Sequence, residues 1–158
     1  MHIEIDKTSL ELRKLTIPLS EGGRRPEEVA KNREDLALIG IALKTGSHIL
    51  RNHPSQNKSM LDYASDHADR IAKTDTDFTN EDREAVIGRQ ELSIAMAGLS
   101  FLSRTDNLDL ESVRTSDRTR EQKRDSIRIR KSLSKAAREA IKNIDAQVAE
   151  ARNRLQGR

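Results

Sequence analysis

The chain has 158 residues, 35% of them charged, with three aromatic side chains and no cysteine. This length argues for one domain. The missing cysteine excludes disulfides and thiolate metal sites, and so few aromatics leave little to line a small-molecule pocket. The net charge of +3 conceals a gradient: +1 over residues 1–52, −5 over 53–110 and +7 over 111–158. A basic end of this kind pairs with the acidic middle or with a polyanion.

Residues 1–25 alternate apolar and polar at Ile3 and Ile5, Leu10 and Leu12, then Leu15, Ile17 and Leu19. That period predicts an N-terminal arm, extended or in short strands. Pro18 lacks a ladder donor, so an edge or an arm is expected there. Glu21-Gly22-Gly23 breaks the pattern.

Pro26 at a helix start, followed by Glu27 and Glu28, opens a first helix over about 26–52. Apolar residues recur from Val29 to Leu50, Gly46 is expected to loosen the helix, and Pro54 ends it. A second helix, about 56–74, carries a stripe of Met60 or Leu61, Ala64, Ala68, and Ile71 or Ala72. Thr79 or Asn80 then caps a third helix that runs over 83–102. Its last eleven residues, 92–102, are uncharged, and a helix apolar nearly all round is a buried one. Glycines within the apolar helices, Gly40, Gly88 and Gly98, point to close helix packing, since each costs about 1 kcal/mol against alanine in a helix.

Residues 109–126 hold almost no apolar side chain beyond Val113 and read as a solvated helix or a linker. Beyond them Ala137, Ile141, Ile144, Val148, Ala151 and Leu155 are spaced 4-3-4-3-4, an a/d register of about two and a half heptads. One helix over 110–155 would be about 70 Å long. Between residues 114 and 138 ten basic side chains face three acids. Arg120, Lys123, Arg124, Lys131 and Lys135 can line one side and suit phosphates.

No chemistry-bearing motif emerges. Asp75-Thr76-Asp77 resembles the opening of a calcium loop, but Asn80 and Val86 stand where glycine and a bidentate glutamate belong. His48, His53 and His67, even with Asp62 and Asp66, lack zinc-ligand spacing. The serine, histidine and glycine patterns of hydrolases and phosphate loops are missing, so neither an enzyme, a cofactor nor a metal is expected. The longest uncharged apolar run is shorter than the roughly 20 residues of a membrane span. No secretory signal is visible either, so a cytoplasmic location is expected.

The sequence therefore predicts an all-α fold: a small antiparallel helical bundle with a long basic, coiled-coil-like C-terminal helix. Its parts are an arm at 1–25, a three-helix core at 26–105 and the long helix at 106–158, with the seam at 137–155. The expected function is a non-enzymatic helical interaction or assembly protein, a homo-oligomer or the partner of another protein's helix. The alternative is a nucleic-acid-binding accessory protein that uses the basic helix.

Overall fold

The computed structural model describes residues 1–20, 22–74 and 84–157. It corrects the all-α expectation. Among the described residues, 69% of which are helical, five α-helices pack with a three-stranded antiparallel sheet, so the fold is mixed α and β.

The N-terminal arm is a hairpin. β1 (His2–Ile5) and β2 (Leu12–Pro18) pair antiparallel, with a bulge between Glu4 and Ile5. In the connecting turn the Asp6 carboxylate accepts the backbone N–H groups of Thr8 and Ser9. Leu10 takes a left-handed conformation at φ 61°.

The third strand comes from the segment expected to open the third helix. β3 (Glu84–Gly88) pairs with β2, setting Leu15 opposite Ile87 and Ile17 opposite Ala85. Strand alternation separates two residues that look alike in sequence: Ile87 is fully buried, and Val86 is 45% exposed on the other face. β2 is therefore the central strand, contrary to the edge position expected from Pro18. Pro18 is tolerated because it is the last paired residue of the strand.

α1 (Pro26–Leu50) begins at its proline and is continuous through Gly46, so the expected loosening is not found. α2 (Lys58–Thr74) buries Leu61, Ala64, Ala68 and Ile71, the anticipated stripe. α3 (Arg89–Ser103) starts after β3 with Gly88 as its N-cap. The caps expected at Thr79 or Asn80, like the Asp75–Asp77 triplet, lie outside the described residues. Ile94 and Leu99 are buried as the charge-free run implied.

α1 and α3 cross at very close range. Gly46 lies against the Ile94 carbonyl, and Gly98 lies against the Ala42 carbonyl. Gly40 and Gly88 play no such part: Gly40 meets Ile71 at ordinary contact distance and Gly88 has open space beside it.

The C-terminal third is broken into pieces. A 3-10 turn (Thr105–Leu108) and α4 (Leu110–Arg114) precede α5 (Arg120–Leu155), so a single helix over 110–155 is not formed. Thr119 and Gln122 close a reciprocal capping box that starts α5 afresh. At about 1.5 Å per residue α5 is about 54 Å long. Val113, the one apolar side chain of residues 111–126, is buried. The hydrophobic core is shared by the sheet, α1, α2, α3 and α5, so it extends beyond the three helices at 26–105.

Candidate nucleic-acid interface

The a/d seam of α5 lies against the protein's own fold. Ala137 and Ile144 are buried in the common core. Ile141, Val148 and Ala151 are half-buried against it, and Leu155 is 44% exposed. α5 packs chiefly on α3 and β1. Ala140 and Ser134, outside the a/d register, are buried too, because a straight helix of 3.6 residues per turn drifts from a strict heptad.

Polar side chains on the same face fix this docking. Gln147 accepts the Ile3 N–H at 2.9 Å and donates to the Met1 carbonyl at 3.1 Å. It thus satisfies backbone groups on the outer edge of the sheet, where an unpaired strand would otherwise be open. Arg152 Nε donates to the Leu10 carbonyl at 2.8 Å.

Several side chains of the basic run have a structural task. Arg138 donates to the Ser103 carbonyl at the end of α3 (3.1 Å). Arg130 reaches the carbonyls of Leu108 (2.7 Å) and Asp109 (3.3 Å). Lys123 Nζ binds the Arg114 carbonyl at the end of α4 (2.7 Å). Helix C-termini leave such carbonyls without intrahelical donors, and basic side chains complete them. Lys123 is therefore turned toward α4, away from the row that the sequence assigned it to.

The other four residues of that row, Arg120, Arg124, Lys131 and Lys135, are exposed and make no ion pair or hydrogen bond among the described residues. Lys142 joins them on the same terms. The spacing of the five is 4-7-4-7, an eleven-residue repeat that stays on one face of a straight helix. At 100° per residue they fall within an arc of about 60°, over about 33 Å of helix. Glu121, Asp125, Glu139 and Glu150 occupy the neighbouring row, where Asp125 pairs with Arg128 at 3.7 Å. Arg120 and Arg124 also stand in the first turns of α5, the end of a helix dipole that disfavours cations.

The histidines expected to be ordinary do not gather. Among the described residues no three His, Asp or Glu side chains approach closely enough to hold a metal. His48 is exposed and His53 bonds Ser55. His67 is different, because its Nδ1 bonds the buried carboxylate of Glu91 on α3. Sequence spacing carries no signal for a pair 24 residues apart. Among the described residues no helix is long and apolar enough to cross a membrane. No protein-family model, curated protein or solved structure matches the chain.

Proposed function

We propose that the protein is a nucleic-acid-binding accessory protein that grips phosphate backbones along the outer face of α5, while the a/d seam docks that helix on its own fold. One observation carries this reading. Arg120, Arg124, Lys131, Lys135 and Lys142 form a single exposed row and pair with no acid among the described residues. Unpaired cations in a row contribute little to folding and much to binding a polyanion, through release of its counterions. No aromatic residue lies on α5, which disfavours a base-stacking platform for single strands and favours duplex backbone contact.

The test is fluorescence anisotropy with a labelled DNA duplex over a range of salt concentrations. Five phosphate contacts give a slope of log K against log salt of about −4.5. Changing Arg124, Lys131 and Lys135 together to glutamine should reduce that slope by about 2.7 and leave the melting temperature unchanged. Binding that ignores the triple change would sink the reading.

A second reading, self-association or pairing with a partner helix, rests on the part of the seam that the fold leaves uncovered: Leu155 and the half-buried Ile141, Val148 and Ala151. Light scattering on nucleic-acid-free protein separates the two. A mass above one chain that rises with concentration favours assembly.

A further inference from the structure

The two edges of the sheet differ. At the β1 edge, Gln147 of α5 takes the outward Ile3 N–H. An N–H that points away from β2 makes Ile3 and Leu15 a pair without mutual hydrogen bonds, so the backbone groups of Leu15 face β3. Leu15 is paired there with Ile87. Ile87 and Ala85 therefore turn their N–H and C=O groups toward β2, and Val86 and Glu84 turn theirs outward. β3 is the other edge of the sheet, and among the described residues these outward groups have no partner. No bulge or proline interrupts β3, and Val86 at its centre is apolar and 45% exposed. A cleft of about 280 Å³ runs beside this edge. Glu84, Ala85 and Val86 form one wall, α2 forms the other, and Leu36 and Ile71 give it an apolar floor. No residue of β1 or β2 lines it, so it lies on the open side of β3.

We propose that β3 and this cleft bind an extended segment of another protein, which joins the sheet as a fourth, antiparallel strand. Val86 exchanges both backbone hydrogen bonds with the residue opposite it, and successive residues of the segment alternate between the two faces. The residue opposite Ala85 shares the inward face of Ala85 and enters the cleft, where Leu36 and Ile71 favour an aliphatic side chain. The residue opposite Val86 lies beside it on the outer face, where a β-branched side chain packs best. The next outward residue stands opposite Glu84, which is exposed and makes no ion pair among the described residues. A lysine or arginine there gives the carboxylate its partner. Along the segment the pattern is thus β-branched, aliphatic, basic. A second copy of this chain fits less well. Paired about Val86, it would set Ile87 opposite Ala85, and that side chain is already fully buried in its own core.

The test uses the full chain labelled with ¹⁵N and a fluorescein-labelled peptide, Ser-Thr-Thr-Val-Leu-Lys-Ser, with its C-terminus amidated. In the free protein the Val86 amide should exchange with solvent at least about tenfold faster than the Ile87 amide, which bonds β2. The peptide should shift the Val86 amide saturably and slow its exchange, with a Kd by anisotropy on the order of 0.1 mM. Serine in place of the peptide's leucine should weaken binding at least about tenfold. Val86→Pro deletes an outward N–H and spares the bonds to β2, so it should abolish binding and leave the melting temperature little changed. Where that variant fails to fold, Glu84→Lys decides alone. It should weaken this peptide and strengthen one with glutamate in place of the lysine. No saturable shift, binding indifferent to the leucine, or a charge swap without effect overturns the proposal. So does a Val86 amide already protected in the free protein. The edge is then occupied, by a second copy where light scattering gives the mass of two chains.

Discussion

A Cβ placed on Gly98 would stand 1.9 Å from the carbonyl oxygen of Ala42. The obstructing atoms are backbone, part of the continuous helix α1, and cannot swing aside as a side chain would. Gly46 meets the Ile94 carbonyl at 2.0 Å in the same way, so the two helices are locked by reciprocal glycines.

Gly98→Ala is therefore expected to destabilise the fold by about 3 kcal/mol, the upper end for overpacking a close contact. Gly40→Ala is expected to do the opposite. Its added methyl would meet the Ile71 side chain at 3.4 Å, an ordinary contact, and alanine gains up to about 1 kcal/mol in a helix interior. Urea titration of both variants checks the signs. Equal effects would mean that the α1–α3 crossing is looser than described.

This contrast also marks how far the sequence could be read. Glycines inside apolar helices announced close packing, but nothing local distinguished Gly98, which faces backbone, from Gly40, which faces a side chain. The helices were legible because their apolar stripes repeat over several turns, as at Leu61, Ala64, Ala68 and Ile71. β3 was not, because five residues of alternation at 84–88 run straight into the apolar α3 and merge with it. Its strand character comes from pairing with β2, 66 to 74 residues earlier in the chain. The basic row was legible as composition. Which cations cap carbonyls and which stay unengaged depended on where α3 and α4 end.

Gln147→Ala should cost about 1–3 kcal/mol, because it leaves the Ile3 N–H and the Met1 carbonyl without their partner in a part-buried setting. Hydrogen exchange at the Ile3 amide should accelerate more than at β2 amides such as Leu15, which sit between two strands. Unchanged exchange at Ile3 would show that Gln147 does not guard the sheet edge.

The Asp6 carboxyl is held below its ordinary value of 3.8, chiefly by the Ser9 backbone N–H it accepts, then by that of Thr8. A depressed native value means that the unfolded chain binds the proton more readily. The stabilisation is thus complete above the ordinary value and is lost as pH falls through the native one. A ¹³C NMR titration of the carboxyl should place its midpoint below that of other exposed aspartates, and Ala replacing both Ser9 and Thr8 should raise the midpoint only slightly, since the two backbone N–H groups outweigh the Ser9 hydroxyl. A midpoint at or above 3.8 would contradict the turn geometry.

Ile144 tests what the seam is for. Its side chain is 1% exposed, and it shares the core with residues of β1 and α3. Ile144→Asp would bury a carboxylate with no cation given to it, a change that costs several kcal/mol or forces the ionised group to take up a proton. Docking of α5 on its own fold predicts a large drop in melting temperature, with a mass of one chain before and after. It also predicts weaker polyanion binding near the melting transition, because Arg124, Lys131 and Lys135 would no longer be held in a row. Assembly through the seam predicts instead that light scattering shows a larger particle for the wild type and a smaller, still helical one for the variant. Leu155→Asp, at a position 44% exposed, is the matching control. It should leave a self-docked monomer almost untouched, and it should weaken any particle built by pairing the ends of α5.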